Sequence, residues 1–303
     1  MSSIFVDNDP GKYEDSQLVN LIPGYTSHIE EVEGLALHYV AGGTGSPLVL
    51  LAGWPQTWWS FHKIMPALAE KHHVIVIDIR GMGSSGKPDV GYSKKNMAHD
   101  ILNLIKKIGY EKVSIGGHDI GATVAISFAG NFPQNTEKLI VLDTPHPDEN
   151  MYQLPMLPVG LPVYPWWVAF NQVKDLPEKL VEGRFHLIQD WIFDQLLKDQ
   201  SSISDFDRKV YSQAYNDKAS IRASNAWYQA FTQDIQDIKA MKIIDAPSIG
   251  ITGSDNYEML KLSLSPYVKN LEMKEIDGAG HFLMEERPEE TAKSILRFLA
   301  GLE

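Results

Sequence analysis

An aspartate in a turn with a glycine on each side is the first candidate for chemistry in this sequence. Asp119 follows an apolar, β-rich run from Lys112 and precedes a helical pattern of small residues from Ala122. A strand, a sharp turn and a helix in this order form a nucleophile elbow, in which Asp replaces the more familiar Ser. The turn needs small neighbours, which Gly117 and Gly121 supply. The pattern predicts a carboxylate above the sheet at a helix N-terminus, although Gly-x-Asp-x-Gly also occurs in ordinary turns.

A histidine near the C-terminus is the second candidate. His281 stands in Gly-Ala-Gly-His-Phe, in a loop after the last predicted strand. Ligands of doubly wound sheets bind at the carboxyl ends of the strands, so we expect His281 to meet Asp119 there. Four other histidines lie in helical or strand-flanking surface patterns without metal-ligand spacing: His62, His72, His73 and His99. We therefore predict no metal site.

Two acids could support this histidine. Asp143 ends the strand after the elbow, and Asp255 follows a later strand in Gly253-Ser254-Asp255. Either carboxylate could accept the second ring N–H of His281, fix its tautomer and stabilise the imidazolium. Either could equally be a cap or turn residue. The residues alone leave both open.

A carboxylate nucleophile predicts a particular reaction. Asp119 needs no base to attack an electrophilic sp³ carbon, and the product is an alkyl ester. His281 would then activate water against the ester carbonyl. The oxyanion of this second step needs two amide donors. The expected donors are Ile120, which follows the nucleophile, and Trp54, in the loop after the strand of residues 47–51.

Alternating strands and helices position these residues. Apolar runs separated by helical patterns predict a parallel sheet up to residue 144. The pattern of residues 145–241 is typical of a proline-rich loop followed by helices, which predicts an inserted helical cap. Alternation resumes over residues 242–303, so the core is expected in two parts, 1–144 and 242–303.

Composition limits the partners. The 303 residues carry a net charge of −12, which argues against nucleic acid and anionic membranes. With no cysteine, disulfides and thiolate metal sites are excluded. The N-terminal residues show no secretory signal, so a cytoplasmic location is the expectation.

The uncharged stretch from Asn150 to Val173 is long enough to span a bilayer, but four prolines interrupt it and we interpret it as a loop-rich apolar lining.

Three motifs together resemble a known family. Gly53-Trp54-Pro55-Gln56-Thr57-Trp58, the Asp119 motif and Gly280-His281-Phe282 with Glu286 and Pro288 resemble the epoxide hydrolase and haloalkane or haloacetate dehalogenase branch of the α/β-hydrolase fold. The similarity spans roughly residues 28–300 and is greatest to epoxide hydrolases like the cystic-fibrosis channel inhibitory factor. It implies a mostly parallel eight-stranded sheet with a helical cap and no cofactor. Those enzymes take their supporting acid where Asp143 stands, which favours Asp143 over Asp255.

The resemblance also assigns roles to the cap. Asn225-Ala226-Trp227-Tyr228 is similar to the segment with the family's cap tyrosine, so Tyr228 is the expected donor to the epoxide oxygen. Related enzymes carry a His where Trp166 stands, and an indole N–H can donate a hydrogen bond but cannot protonate an alkoxide. Trp166 and Trp167 are expected to bind substrate, unless they only pack the cap.

Departures from the family pattern separate the possible functions. Ala52 replaces a His of the oxyanion loop, and Ile120 and Thr123 replace the two Arg with which fluoroacetate dehalogenases clamp a carboxylate. The favoured reading is an epoxide hydrolase for a neutral hydrophobic substrate. The alternatives are a dehalogenase using the same two steps, or a hydrolase-fold protein that binds a ligand without turnover. The sequence leaves the natural substrate and a homodimer open.

Overall fold

A single sheet carries the fold. The computed structural model describes residues 10–153 and 165–302. Its strands run in the order β1-β2-β4-β3-β5-β6-β7-β8, with β1–β2 and β2–β4 antiparallel and all other pairs parallel. This is the eight-stranded, mostly parallel sheet that we predicted. The strands are β1 Tyr25–Val32, β2 Leu35–Gly42, β3 Ser46–Leu51, β4 His72–Ile77, β5 Val113–His118, β6 Thr136–Leu142, β7 Ser248–Gly253 and β8 Leu271–Ile276.

The central strands are buried on both faces. Consecutive side chains of β3 from Leu48 to Leu51 are all 0% exposed, although alternate residues of a strand point to opposite faces. This burial accounts for the continuous apolar runs of the sequence. Core helices pack against the sheet: α1 Asp15–Leu18, α2 Met65–Ala69, α3 Lys94–Lys107, α4 Ile120–Asn131, α11 Tyr257–Leu264, α12 Leu283–Glu286 and α13 Pro288–Ala300.

The described residues between β6 and β7 are helical. The helices of this segment are α5 Trp166–Gln172, α6 Leu176–Val181, α7 Phe185–Leu196, α8 Asp205–Ala214, α9 Lys218–Gln229 and α10 Phe231–Ala240. Part of the predicted apolar lining, residues 154–164, lies outside the described residues. The boundaries at 144/145 and 241/242 stay a prediction. In the described part of the chain, no helix is both long and apolar enough to cross a membrane.

Two buried polar contacts join these cap helices to the core. Lys94 lies at the start of α3, and its Nζ is 2.9 Å from Asp234 Oδ2 of α10. Both side chains are fully buried. Glu285 of α12 accepts hydrogen bonds from Tyr211 of α8 and from Gln56 of the loop after β3. Removing one partner of a buried ion pair is costly, so these contacts fix the cap over the sheet.

Candidate active site

The loop between β5 and α4 presents Asp119 in a strained conformation. Asp119 has φ 50° and ψ −122°, a region that side chains other than glycine rarely adopt. Such strain costs roughly 1–3 kcal/mol and persists only where the surroundings impose it. The backbone therefore has the geometry of the predicted elbow.

Three glycines allow this tight turn. A Cβ on Gly117 would collide with the main chain of Gly121, and a Cβ on Gly121 with the main chain at the end of β3. A Cβ on Gly53 would collide with Asp119 itself. Packing of backbone against backbone thus explains the small residues around the turn.

Backbone amides hold the Asp119 carboxylate. The Trp54 N–H donates to Asp119 Oδ1 at 2.8 Å. Burial raises the pKa of Asp119, while the His281 ring, hydrogen bonds from the Ile120 and Trp54 amides and the charge of Lys94 oppose that rise. Trp54, one of the two predicted oxyanion donors, therefore already holds Oδ1, and Oδ2 is the oxygen that faces His281.

His281 stands across the cleft from Asp119. Its Nε2 lies 3.9 Å from Asp119 Oδ2, too far for a direct hydrogen bond. A water at about 2.8 Å from both atoms would fit beside the line that joins them. The two side chains line the same cavity. The arrangement can hold one water between a base and a carboxyl carbon.

Asp143 supports the ring from its other side. His281 Nδ1 donates to Asp143 Oδ2 at 2.6 Å, so Nε2 is left facing Asp119. Asp143 is itself fixed by Thr252 Oγ1, which donates to Oδ1, and by Asn256 Nδ2, which donates to Oδ2 at 2.8 Å. Burial alone would lower the pKa of His281, but the hydrogen bond and charge of Asp143, with Asp119, raise it above its ordinary value.

The structure does not bring the alternative acid, Asp255, to the histidine. Its carboxylate is 77% exposed and lies 3.0 Å from Lys198 Nζ. Asp255 follows β7 within a short 3₁₀ turn and is not among the described lining residues of the cavity. The neighbouring Asn256 contacts Asp143 instead.

Sequence reasoning missed the residues that hold the His281 backbone. His118 Nε2 donates to the His281 carbonyl at 2.9 Å, and the His281 N–H donates to Leu196 O at 3.1 Å. Glu286 accepts from the Gly280 N–H at 2.9 Å and from the Lys198 N–H at 2.7 Å. The loop is thereby tied to the end of α7. His118 belongs to the elbow motif and Glu286 to the motif that contains His281, and these two motifs were the signals available.

An apolar cavity of about 870 Å³ lies above these groups. Tyr228 of α9 lines it opposite Trp54, with ring centroids 5.9 Å apart. Tyr228 is 2% exposed, and its hydroxyl has no hydrogen bond of normal geometry among the described residues, although the Asn171 side chain is close enough to lower its pKa slightly. Burial raises the pKa of Tyr228 well above its ordinary value, so the phenol keeps its proton. A buried hydroxyl without a partner is costly, and a ligand oxygen would satisfy it.

The two cap tryptophans differ in position. Trp167 lines the cavity beside Val168. Trp166, which we expected to bind substrate, is not among the described lining residues; its ring packs against Trp191 and Phe170, with centroids 5.3 and 5.6 Å away. Consecutive helical residues point about 100° apart, so only one of the pair faces the cavity. This placement favours the packing alternative for Trp166.

Other polar groups line the same cavity. His146, in the loop after β6, is 6% exposed and was not singled out from the sequence. Ile120 and Thr123 are lining residues as well, and among the described lining residues there is no Lys or Arg. Apart from the imidazolium form of His281, the described lining therefore offers no cation to pair with a substrate carboxylate.

One cluster of metal-binding side chain types occurs in the described residues. Candidate ligand atoms of Asp15, His38 and Asp78 lie within 4.8 Å of one another. Burial lowers the pKa of His38, but the hydrogen bond and charge of Asp78, with Asp15, raise it overall. Asp78 accepts from His38 Nδ1 and from the Trp58 N–H, both at 2.8 Å. We interpret this cluster as a link between α1 and the sheet.

Comparison with known proteins identifies the family. Residues 46–288 match the α/β-hydrolase-fold family. The chain belongs to this family. A soluble epoxide hydrolase from Corynebacterium sp. (strain C12) is 32% identical over 91% of this chain and 98% of that protein. This α/β hydrolase therefore lies in the epoxide hydrolase branch, as the resemblance predicted.

Two further likenesses bear on the branch. A fluoroacetate dehalogenase from Burkholderia sp. is 26% identical over 92% of this chain and 95% of that protein. The crystal structure of the Cif epoxide hydrolase from Acinetobacter nosocomialis superposes with a TM-score of 0.86, covering 94% of this chain and 95% of the other at 24% identity. That structural likeness shows the shared fold. The α/β hydrolase is thus an enzyme of a superfamily that includes both activities.

Proposed function

We propose that this enzyme hydrolyses a neutral, hydrophobic epoxide to a diol. The observation that carries the proposal is the pairing of Asp119 Oδ2 with His281 Nε2 across 3.9 Å in a mostly apolar cavity. A carboxylate in this position attacks carbon, and a histidine in this position delivers water. Tyr228 supplies the hydroxyl that an opening epoxide needs.

The first step forms an ester. A lone pair of Asp119 Oδ2 attacks one epoxide carbon while that carbon's bond to the ring oxygen breaks. The electron pair of the broken bond stays on oxygen, which receives a hydrogen bond and then a proton from Tyr228 Oη. Oδ1 becomes the ester carbonyl oxygen and keeps its hydrogen bond from the Trp54 N–H.

The second step releases the product. His281 Nε2 takes a proton from water, and the resulting hydroxide attacks Asp119 Cγ. Negative charge gathers on Oδ1, where the amides of Trp54 and Ile120 stabilise it. The bond from Cγ to Oδ2 then breaks, and the departing alkoxide takes the proton that the attacking hydroxide brought onto Cγ, so the diol leaves and Asp119 is again a carboxylate. Asp143 stabilises the imidazolium, which finally gives its proton to the Tyr228 phenolate through the product hydroxyls.

Dehalogenation by the same two steps is the second candidate. Trp167 lines the cavity beside Tyr228, and both could hydrogen-bond a leaving halide. Haloacids fit poorly because Ile120 and Thr123 offer no charge to a carboxylate. Epoxides are favoured because the Tyr228 hydroxyl lines the cavity as a buried donor without a normal hydrogen bond, which an oxygen leaving group would engage.

Trapping the ester tests both candidates. His281→Gln is expected to stall the second step, so that 1,2-epoxyoctane adds its full mass to the protein and peptide mapping locates the adduct on Asp119. The control is His281→Gln combined with Asp119→Asn, which should remain unmodified. For 1-bromooctane, the adduct would be an octyl group and the wild type would release bromide. Unmodified His281→Gln together with no diol from the wild type, across a broad panel of epoxides, would favour ligand binding without turnover.

A further inference from the structure

His146 is a polar side chain in the cavity wall that the proposed reaction does not use. It lines the same cavity as Asp119 and Tyr228 and is 6% exposed. Pro145 and Pro147 flank it and restrict its backbone. Its position in the cavity wall is therefore well fixed.

The hydrogen bond at Nδ1 determines the tautomer. His146 Nδ1 lies 3.0 Å from the Pro147 carbonyl oxygen. A carbonyl can only accept, so Nδ1 carries the hydrogen. Nε2 has no hydrogen-bond partner in the described parts of the chain. Since His146 lines the cavity, Nε2 is the ring nitrogen left for a molecule there.

The surroundings keep this ring neutral. Burial lowers the pKa of His146, and the charge of Lys94 acts in the same direction. The charges of Asp234 and Asp237 and the hydrogen bond to Pro147 oppose this shift without reversing it. In a neutral ring that is protonated at Nδ1, Nε2 is a lone pair. It can accept a hydrogen bond but cannot protonate a leaving group.

We propose that His146 Nε2 accepts a hydrogen bond from a substrate hydroxyl, so that the preferred substrates are neutral epoxides that also carry an alcohol. This inference rests on the proposed epoxide hydrolysis and adds the substrate class. A carboxylate in the same place would face a lone pair with no Lys or Arg among the described lining residues. An alkane chain would leave the nitrogen unsatisfied, at the cost of a lost hydrogen bond.

Chain geometry bounds the distance between the two substrate groups. His146 follows Asp143 by three residues, so their Cα atoms are at most about 11 Å apart. Asp143 in turn contacts the ring of His281. The hydroxyl and the epoxide should therefore be separated by a short chain. A series of 1,2-epoxyalkanes with a terminal hydroxyl, from four to ten carbons, covers this range.

The test compares each epoxy alcohol with the 1,2-epoxyalkane of equal length. At the best length, we expect kcat/KM of the wild type to favour the alcohol by about three- to tenfold, the effect of one neutral hydrogen bond. His146→Phe should bring this ratio to about one. His146→Gln should retain part of the preference because its side-chain oxygen can accept. Ser263→Ala, which removes another cavity hydroxyl, is the matched control and should keep the ratio.

Three outcomes would overturn the assignment. They are equal kcat/KM for alcohol and alkane at every length, a preference that survives His146→Phe, and a preference that Ser263→Ala abolishes. If the wild type turns over none of these epoxides, the proposed function fails first. The ratio of dissociation constants, measured by calorimetry on Asp119→Asn, then tests the hydroxyl acceptor by itself. A ratio near one would also refute it.

Discussion

His118 Nε2 donates to the main-chain carbonyl of His281 at 2.9 Å, so the residue before the proposed nucleophile holds the residue that faces it. The two rings also pack together, with centroids 4.4 Å apart. Burial and the neighbouring His281 lower the pKa of His118 well below its ordinary value, which keeps this contact uncharged. The elbow and the histidine loop are therefore one rigid unit, although 163 positions of sequence separate them.

The acidic limb of the pH profile should report His281. Its pKa is raised, and only the neutral ring can take a proton from water, so kcat should rise with pH through a value above 6.5. Asp143→Asn removes the charge that stabilises the imidazolium. We expect this variant to lower kcat by about 10²–10⁴-fold and to move the limb to lower pH, measured from pH 5 to 9.

Asp255→Asn is the matched control for that experiment. Its carboxylate is exposed and pairs with Lys198, so the limb and kcat should stay as in the wild type. A shift with Asp255→Asn, or none with Asp143→Asn, would contradict the assignment of the supporting acid.

Loss of the Tyr228 hydroxyl should slow ring opening. Tyr228→Phe keeps the ring packed against Trp54 and removes only the donor. General-acid assistance contributes about 10²–10⁴-fold, so ester formation on an epoxide should fall by a factor in that range. Rapid-quench mass spectrometry of the ester measures this step. Tyr110→Phe, which removes a remote hydroxyl 2.6 Å from His73 Nδ1, should leave the rate unchanged. Equal rates for Tyr228→Phe and wild type would exclude the donor role.

The buried pair between core and cap should govern stability. Lys94→Met leaves the Asp234 carboxylate buried without its cation, and Lys94 also donates to the Trp227 carbonyl next to Tyr228. We expect the free energy of unfolding to fall by about 3–5 kcal/mol in urea titrations. Adding Asp234→Leu should restore part of the loss because no lone charge remains.

Lys107→Met, on the same helix, is the control for Lys94. Its ion pair with Glu30 is 3.1 Å long but exposed, so its removal should change stability little. If the two lysine variants lost the same stability, burial of the Lys94 pair would not be the cause.

Glu285 should make stability depend on pH. Burial raises its pKa to about 7, while Lys63 and the Tyr211 hydrogen bond partly oppose this. The folded state therefore binds this proton more tightly than the unfolded state, and the wild type should lose stability as pH rises from about 4.5 to about 7. Glu285→Gln cannot ionise, so its stability relative to the wild type should increase over that range, by at most about 3 kcal/mol. Glu137→Gln, at an exposed carboxylate, should show no such increase. Parallel curves for Glu285→Gln and wild type would contradict the raised pKa.

The sequence predicted the sheet because buried parallel strands leave continuous apolar runs. The structure has the eight strands expected of this fold. The chain between β3 and β4 is less regular than the rest of the core. Pro66 has no N–H for a continuous helix, so the chain forms a 3₁₀ turn, Trp58–Phe61, and then the short α2 from Met65.

The site was predictable where a motif fixes the backbone, and not where side-chain direction decides. Asp119 and His281 follow from turn chemistry and strand ends. Trp166 and Trp167 are adjacent, and only the rotation of α5 selects Trp167 for the cavity. The role proposed for His146 depends on the hydrogen bond from Nδ1 to the Pro147 carbonyl. Residue spacing in the sequence does not reveal that bond.

The amide that holds Asp119 Oδ1 makes the two oxygens of this carboxylate inequivalent. Under the proposed chemistry, Oδ2 departs with each diol and an oxygen from solvent replaces it. A first turnover in H₂¹⁸O should therefore yield unlabelled diol and labelled protein, and the isotope should reach the product one cycle later. The oxygen that each diol receives from the enzyme would therefore be the one that Asp119 took from water in the preceding cycle.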